Sequence, residues 1–197
     1  MEIYERQVGN TYTFFQDLSA PNGDQRALFI SDDNLKIMAG DLNGFVRIYD
    51  YSGPAFTLSQ SFTLPDKIRT VKVVGDNLMV SGEKLIHFYE WNGTQYSFAW
   101  TLVDGQTAMK RIGVSNDFTK LIYGGARKDV NIRERNGVGT YDSRVVDSLG
   151  NDIEACIVDE SGLYYIVASK DNKIRIYFEC PSECGNCFFP NNCSDCQ

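Results

Sequence analysis

Apolar positions along this chain fall in short alternating runs separated by turn residues, and one run keeps returning. It reads Glu2-Ile3-Tyr4-Glu5, Arg47-Ile48-Tyr49-Asp50, His87-Phe88-Tyr89-Glu90, Asn131-Ile132-Arg133-Glu134 and Arg175-Ile176-Tyr177-Phe178. Its central apolar residues Ile3, Ile48, Phe88, Ile132 and Ile176 are spaced by 45, 40, 44 and 44 residues. A strand motif with so regular a period marks a repeat protein.

Each repeat divides into four short strands bounded by turn signals. The first predicts strands over 11–16, 26–31, 36–40 and 45–51, and the second over 56–64, 70–74, 78–82 and 85–91. The third predicts 96–102, 109–115, 120–124 and 130–135, and the fourth 140–146, 153–158, 164–169 and 173–178. Asp32-Asp33-Asn34 and Asn43-Gly44 are hairpin turns, since Asn and Gly tolerate positive φ. Small residues recur where the third strand of each repeat ends, at Ala39-Gly40, Ser81-Gly82, Gly124-Gly125 and Ala168-Ser169, as close approach of neighbouring sheets requires. Helix signals are absent. Strands at about 40 to 50 residues per repeat imply propeller blades.

The apolar-Tyr-acid ending resembles the apolar-Trp-Asp ending of WD repeats. Tyr4-Glu5, Tyr49-Asp50 and Tyr89-Glu90 stand for Trp-Asp, Arg133-Glu134 keeps the acid, and Tyr177-Phe178 keeps the aromatic. The resemblance covers residues 2–178 and implies a divergent WD-type propeller. WD repeats carry a Gly-His pair near the start of each blade, whereas this chain has a single histidine, His87, inside a motif strand. Apolar packing is therefore expected to hold the blades in place of an Asp-His network. One lone strand around Ile3 followed by four sets of four does not close a ring, which predicts a fragment of a longer array.

Five of the six cysteines crowd the end of the chain, Cys180, Cys184, Cys187, Cys193 and Cys196, while Cys156 lies in the apolar strand Ala155-Cys156-Ile157-Val158. So short a tail has no core of its own and needs staples, either disulfides or zinc. Zinc sites built from two C-x2-C pairs separate them by about 15 to 20 residues. Here five residues intervene, which favours disulfides. The tail resembles the furin-like, growth-factor-receptor type of cysteine-rich module found in large surface proteins of ciliated protozoa. That resemblance implies a secreted or cell-surface protein. Two glycosylation sequons, at Asn92 and Asn192, agree with it. Cys156 is expected to be a buried free thiol.

Charge narrows the partners. A net charge of -7 suits a polyphosphate poorly, so no nucleic acid is expected, and the basic stretch from Lys110 to Arg144 reads as a solvated rim. No stretch approaches the ~18 consecutive apolar residues of a membrane span. Aromatic residues at 13% argue against disorder.

Catalytic motifs are missing: no phosphate-cradling glycine loop, no H-E-x-x-H and no G-x-S-x-G. His87 sits between Ile86 and Phe88 and is assigned a structural role. Asp32, Asp33, Asp76, Asp117, Asp159 and Glu160 repeat at one turn, and Asp41, Asp129 and Asp171 at another, which marks turn chemistry. No catalytic residue, metal site or cofactor is assigned.

The sequence thus predicts an all-β chain: a partial β-propeller over 1–179, with four four-stranded WD-like blades and one strand of a preceding blade, then an incomplete cysteine-rich module over 180–197. Its expected role is a non-enzymatic scaffold for a protein or glycan, completed by further blades or subunits. The alternatives are a fragment of a propeller enzyme with its site on other blades, or an intracellular scaffold with a zinc-binding tail.

Overall fold

A computed structural model of the chain describes residues 1–9, 11–18, 24–103, 109–126, 128–137, 140–159, 161–179, 184–189 and 192–196. For Arg6, Lys110, residues 143–145 and the last two segments the description is of the backbone alone. All regular structure among the described residues is β. Strands β1 (Glu2–Arg6) and β2 (Tyr12–Asp17) form a hairpin. Sheet I follows with β3 (Gln25–Ile30), β4 (Lys36–Asp41), β5 (Phe45–Tyr51) and β6 (Phe56–Thr63). Sheet II has β7 (Thr70–Val74), β8 (Asn77–Ser81), β9 (Leu85–Trp91) and β10 (Tyr96–Val103).

Sheet III has β11 (Met109–Val114), β12 (Lys120–Gly125), β13 (Asp129–Gly137) and β14 (Thr140–Ser148). Sheet IV has β15 (Ile153–Val158), β16 (Tyr164–Ser169) and β17 (Lys173–Phe178) among the described residues. A second hairpin, β18 (Cys184–Phe189) and β19 (Asn192–Cys196), ends the chain. The chain divides into two compact units, Met1–Val103 and Asp104–Gln197.

Each sheet is an antiparallel meander in chain order, the form of a propeller blade. The expected phase is corrected by one strand. Motif residues Ile48, Phe88, Ile132 and Ile176 lie in the third strand of their sheets, and the strand after each of the first three motifs pairs with it. Thus β6, β10 and β14 close the sheet that precedes them, and β1 is paired with β2 rather than alone. Local turn geometry explains the offset. After the motif the chain reverses in a tight turn, with Gly53 at φ 104° and Gly93 at φ 96°, closed by Ser52 N–H to Ala55 O at 3.0 Å and Asn92 N–H to Gln95 O at 3.1 Å. The next link, 64–69, contains Pro65 and carries the chain to the following sheet.

Within the first unit the sheets stack face to face. Met38, Val46 and Ile48 of sheet I bury against Ile68 of the link and Val71, Leu78 and Tyr89 of sheet II. On its other face Ile37 and Tyr49 meet Ile3 and Met1 of the hairpin. In the second unit Ile122, Val130 and Ile132 of sheet III pack on Ile153, Tyr165, Val167 and Tyr177 of sheet IV. Period-2 alternation makes this possible, because both faces of each middle strand are apolar. The recurrent small residues serve these joints. A Cβ on Gly40 would collide with the Ile68 side chain, and one on Gly124 with the Ile153 side chain.

Two glutamines pin the outer rims of successive sheets. Gln16 Nε2 donates to Phe56 O at 2.9 Å while Gln16 Oε1 accepts the Phe56 N–H at 2.8 Å. Gln60 does the same to Tyr96, at 2.8 and 2.9 Å. Each glutamine lies opposite the motif isoleucine of its own sheet, Gln16 opposite Ile3 and Gln60 opposite Ile48.

Candidate binding groove

A groove of about 590 Å³ opens where the β1–β2 hairpin meets sheet I. Ile3 and Phe15 form one wall, and Ile30, Ile37, Leu35 and Phe56 the other. Tyr51 lies between them, its ring centroid 6.3 Å from Phe15 and 5.2 Å from Phe56. Sequence alternation places these rings here: the bulge between Ile3 and Tyr4 leaves Phe15 without an opposite partner on β1. Volume and lining match a site that takes an apolar or planar group.

The rim is polar and held by the β3–β4 turn. Asp33 Oδ1 accepts from Ser31 Oγ at 2.5 Å and from Leu35 N–H at 2.9 Å, and these bonds hold its carboxyl below the usual range. Asn34 takes positive φ, 60°, which fixes the turn. Glu5 stands on the hairpin side and accepts from Gln7 Nε2 at 3.1 Å. Aromatic walls with carboxylates at the mouth can hold a cationic or aromatic side chain, or stack a sugar ring while the acids bind its hydroxyls.

The other singled-out residues lie elsewhere. The turn acids bond their own loops. Asp117 accepts from Ser115 Oγ at 2.6 Å, Thr119 N–H at 2.9 Å and Thr119 Oγ1 at 2.7 Å. Burial raises its pKa, but these bonds outweigh burial and bring it down to about 2. Asp159 repeats the pattern with Ser161 and with Tyr164 N–H at 2.8 Å, whereas Glu160 lies outside the described residues. No group of three or more metal-binding side chains occurs among the described residues.

His87 is buried, its Nδ1 2.9 Å from Thr101 Oγ1. Burial lowers its pKa, against the pull of Asp66. The place it occupies in sheet II is taken in sheet I by Arg47, which donates to the buried Asp41 at 2.9 Å, and in sheet IV by Arg175, which donates to Asp171.

Asn92 is exposed at the β9–β10 turn, where Oδ1 accepts from Thr94 N–H, Thr94 Oγ1 and Gln95 N–H. Cys156 is buried in the joint between sheets III and IV, and burial pushes its thiol up to about 12. Cys180 and the side chains of Cys184, Cys187, Asn192, Cys193 and Cys196 lie outside the described residues. In the basic stretch, Arg133 Nε donates to Tyr123 Oη at 2.6 Å and Lys120 pairs with Glu179, while Arg127 lies outside the described residues. No described helix is long and apolar enough to cross a membrane.

The groove carries no sequence signature because its walls come from distant strands. No protein-family model matches the chain, and no curated protein matches it.

Proposed function

We propose that this chain is a non-enzymatic scaffold of blade-like sheets that binds a protein or a glycan, as part of a larger secreted or cell-surface protein. The groove at the hairpin carries this reading: a preformed apolar slot with an acid on each side, held by sheet packing on one flank and by a bonded turn on the other. The turn acids support it from the other direction, because their hydrogen bonds are committed to loop geometry. The assignment to divergent WD-type repeats is supported by the equivalent placement of the motif strands in sheets I to IV, and that of the tail to a furin-like cysteine-rich module by its cysteine spacing. The secretory route is supported by the exposed sequon at Asn92.

The test is selection of ligands from a displayed-peptide library and a defined glycan array, each with the wild-type chain and with Tyr51→Ser plus Leu35→Asp. Ligands that bind the wild type and are lost with the pair support the groove. Ligands indifferent to the pair, or turnover abolished by Asp117→Asn, overturn it.

A further inference from the structure

The second hairpin sets the tail cysteines in a register that chooses among their partners. Strand β18 pairs antiparallel with β19, with Cys184 opposite Cys196, Asn186 opposite Asp195, Cys187 opposite Cys193 and Phe189 opposite Asn192. The register shifts between Cys184 and Asn186 and shifts back between Asn186 and Cys187. Gly185 is thus the extra residue on β18 and Ser194 the extra residue on β19, and the two bulges cancel. The pair Cys184/Cys196 and the pair Cys187/Cys193 then stand two steps apart on the ladder. Positions two steps apart share a face, so all four cysteines lie on one side of the hairpin. Without the bulges, the three-residue spacing within each C-x2-C would set its two cysteines on opposite faces.

Four cysteines can form two bridges in three ways, and the backbone placement separates them. Bridged cysteines have Cα atoms about 4.4–6.8 Å apart. Residues directly opposite in an antiparallel pair are about 4.5–5.5 Å apart, inside that range. The crossed pairing, Cys184 with Cys193 and Cys187 with Cys196, follows ladder diagonals of about 7–8 Å and falls outside it. The pairing along each strand, Cys184 with Cys187 and Cys193 with Cys196, spans two ladder steps of about 3.4 Å each and sits at the far limit. Nested pairing across the strands is the one arrangement in which both bridges fall well within reach.

We propose that the tail closes as a ladder of two disulfide rungs, Cys184 bonded to Cys196 and Cys187 bonded to Cys193, with Cys180 outside it. The pairing rests on the reading of the tail as an oxidised cysteine-rich module and supplies its connectivity. Each rung joins two Sγ atoms. The two thiols give up two protons and two electrons to glutathione disulfide, which leaves as two molecules of glutathione. A two-stranded hairpin by itself is marginally stable in water, and strands of six and five residues add little to it. The inner rung closes the short loop of five residues between Cys187 and Cys193, and the outer rung holds the strands together beyond the bulges.

The experiment is refolding of residues 1–197 in a mixture of glutathione and glutathione disulfide, followed by alkylation in urea without reductant and tandem mass spectrometry of the cysteine peptides. In the wild type Cys156 and Cys180 should carry the label or glutathione, and the other four cysteines neither. Cys184→Ser should free Cys196 for labelling and leave Cys187 and Cys193 protected. Cys187→Ser should free Cys193 and leave Cys184 and Cys196 protected. Release of Cys187 or Cys193 by Cys184→Ser, or any bridge to Cys180, overturns the nested pairing while the stapled tail stands. Full labelling of the tail thiols in the refolded wild type, or one firmly held zinc ion per chain when zinc is supplied during refolding, overturns the pairing and the module reading together.

Discussion

The side-chain amide of Gln60 holds the backbone of Tyr96 on the neighbouring sheet by both of its ends, donating to the carbonyl and accepting the N–H. Asn92 and Gln95 form the bonded pair of the β9–β10 turn, so Tyr96 turns its own N–H and carbonyl away from β9, and the glutamine satisfies both. Gln60→Ala should lower stability by about 1–3 kcal/mol, the cost of leaving partly buried polar groups unmet. Gln16→Ala should behave alike at Phe56. Urea unfolding of both variants checks this, and an unchanged midpoint would make the clamp ornamental.

Asp41 is fully buried and takes three bonds, from Arg47, Asn43 N–H and Phe45 N–H. Arg47→Leu should cost about 3–5 kcal/mol, because it strands a buried carboxylate. In sheet II His87 takes the place of Arg47, but the strand register sets Ser81 at the place of Gly40, and Ser81 Oγ and His87 Nε2 are both buried without a hydrogen-bond partner. Thermal unfolding of Arg47→Leu beside the wild type checks the cost, and an unchanged midpoint would show that the pair contributes nothing.

Stability should fall on mild acidification through His87. Its folded pKa is depressed by burial, so the folded chain holds the neutral ring. The unfolded ring, near the ordinary value of about 6.5, gains a proton first as pH falls. The contribution is complete above about pH 6.5 and is lost as pH drops through the lower folded value. Urea midpoints between pH 7.5 and 5 should show a fall in the wild type that His87→Gln removes.

Gly40→Ala should destabilise by about 1–3 kcal/mol through overpacking against Ile68. Ile68→Ala in the same chain should recover part of that loss, so the two effects should be less than additive. Full additivity in calorimetry would show that the contact is slack.

Cys156 should resist alkylation in the native chain at pH 8 and react after unfolding in urea, because the thiolate is suppressed by burial. Peptide mapping after labelling separates it from the tail cysteines. Rapid native labelling of Cys156 would mean that the joint between sheets III and IV opens readily.

Alternation and the motif period made the strands legible from residues alone, and the glycines at 40 and 124 announced close approach. The phase was not legible, because the sequence does not say which of two flanking strands a motif strand will pair with. That is settled by which connection is the tight one, here the turns at Gly53 and Gly93. Gln16 and Gln60 stand 44 residues apart, a signal as regular as the motif itself but carried by a polar residue that the apolar pattern ignores. The groove was beyond reach, since Phe15, Tyr51 and Leu35 meet only after the hairpin has docked on sheet I.

The one-strand offset between repeat and sheet bears on how such a chain can be cut or lengthened. A segment from β6 through β9 is one full period, yet removing it takes the last strand of sheet I together with the first three of sheet II, and β10 then falls to β5 as its partner. The array thus shortens by one sheet without leaving an incomplete one behind. Gain by duplication works the same way, since a period of four consecutive strands supplies one further sheet wherever it is cut. Because every full sheet is a run of consecutive strands, the length of the array can change by whole periods while every interior edge stays paired.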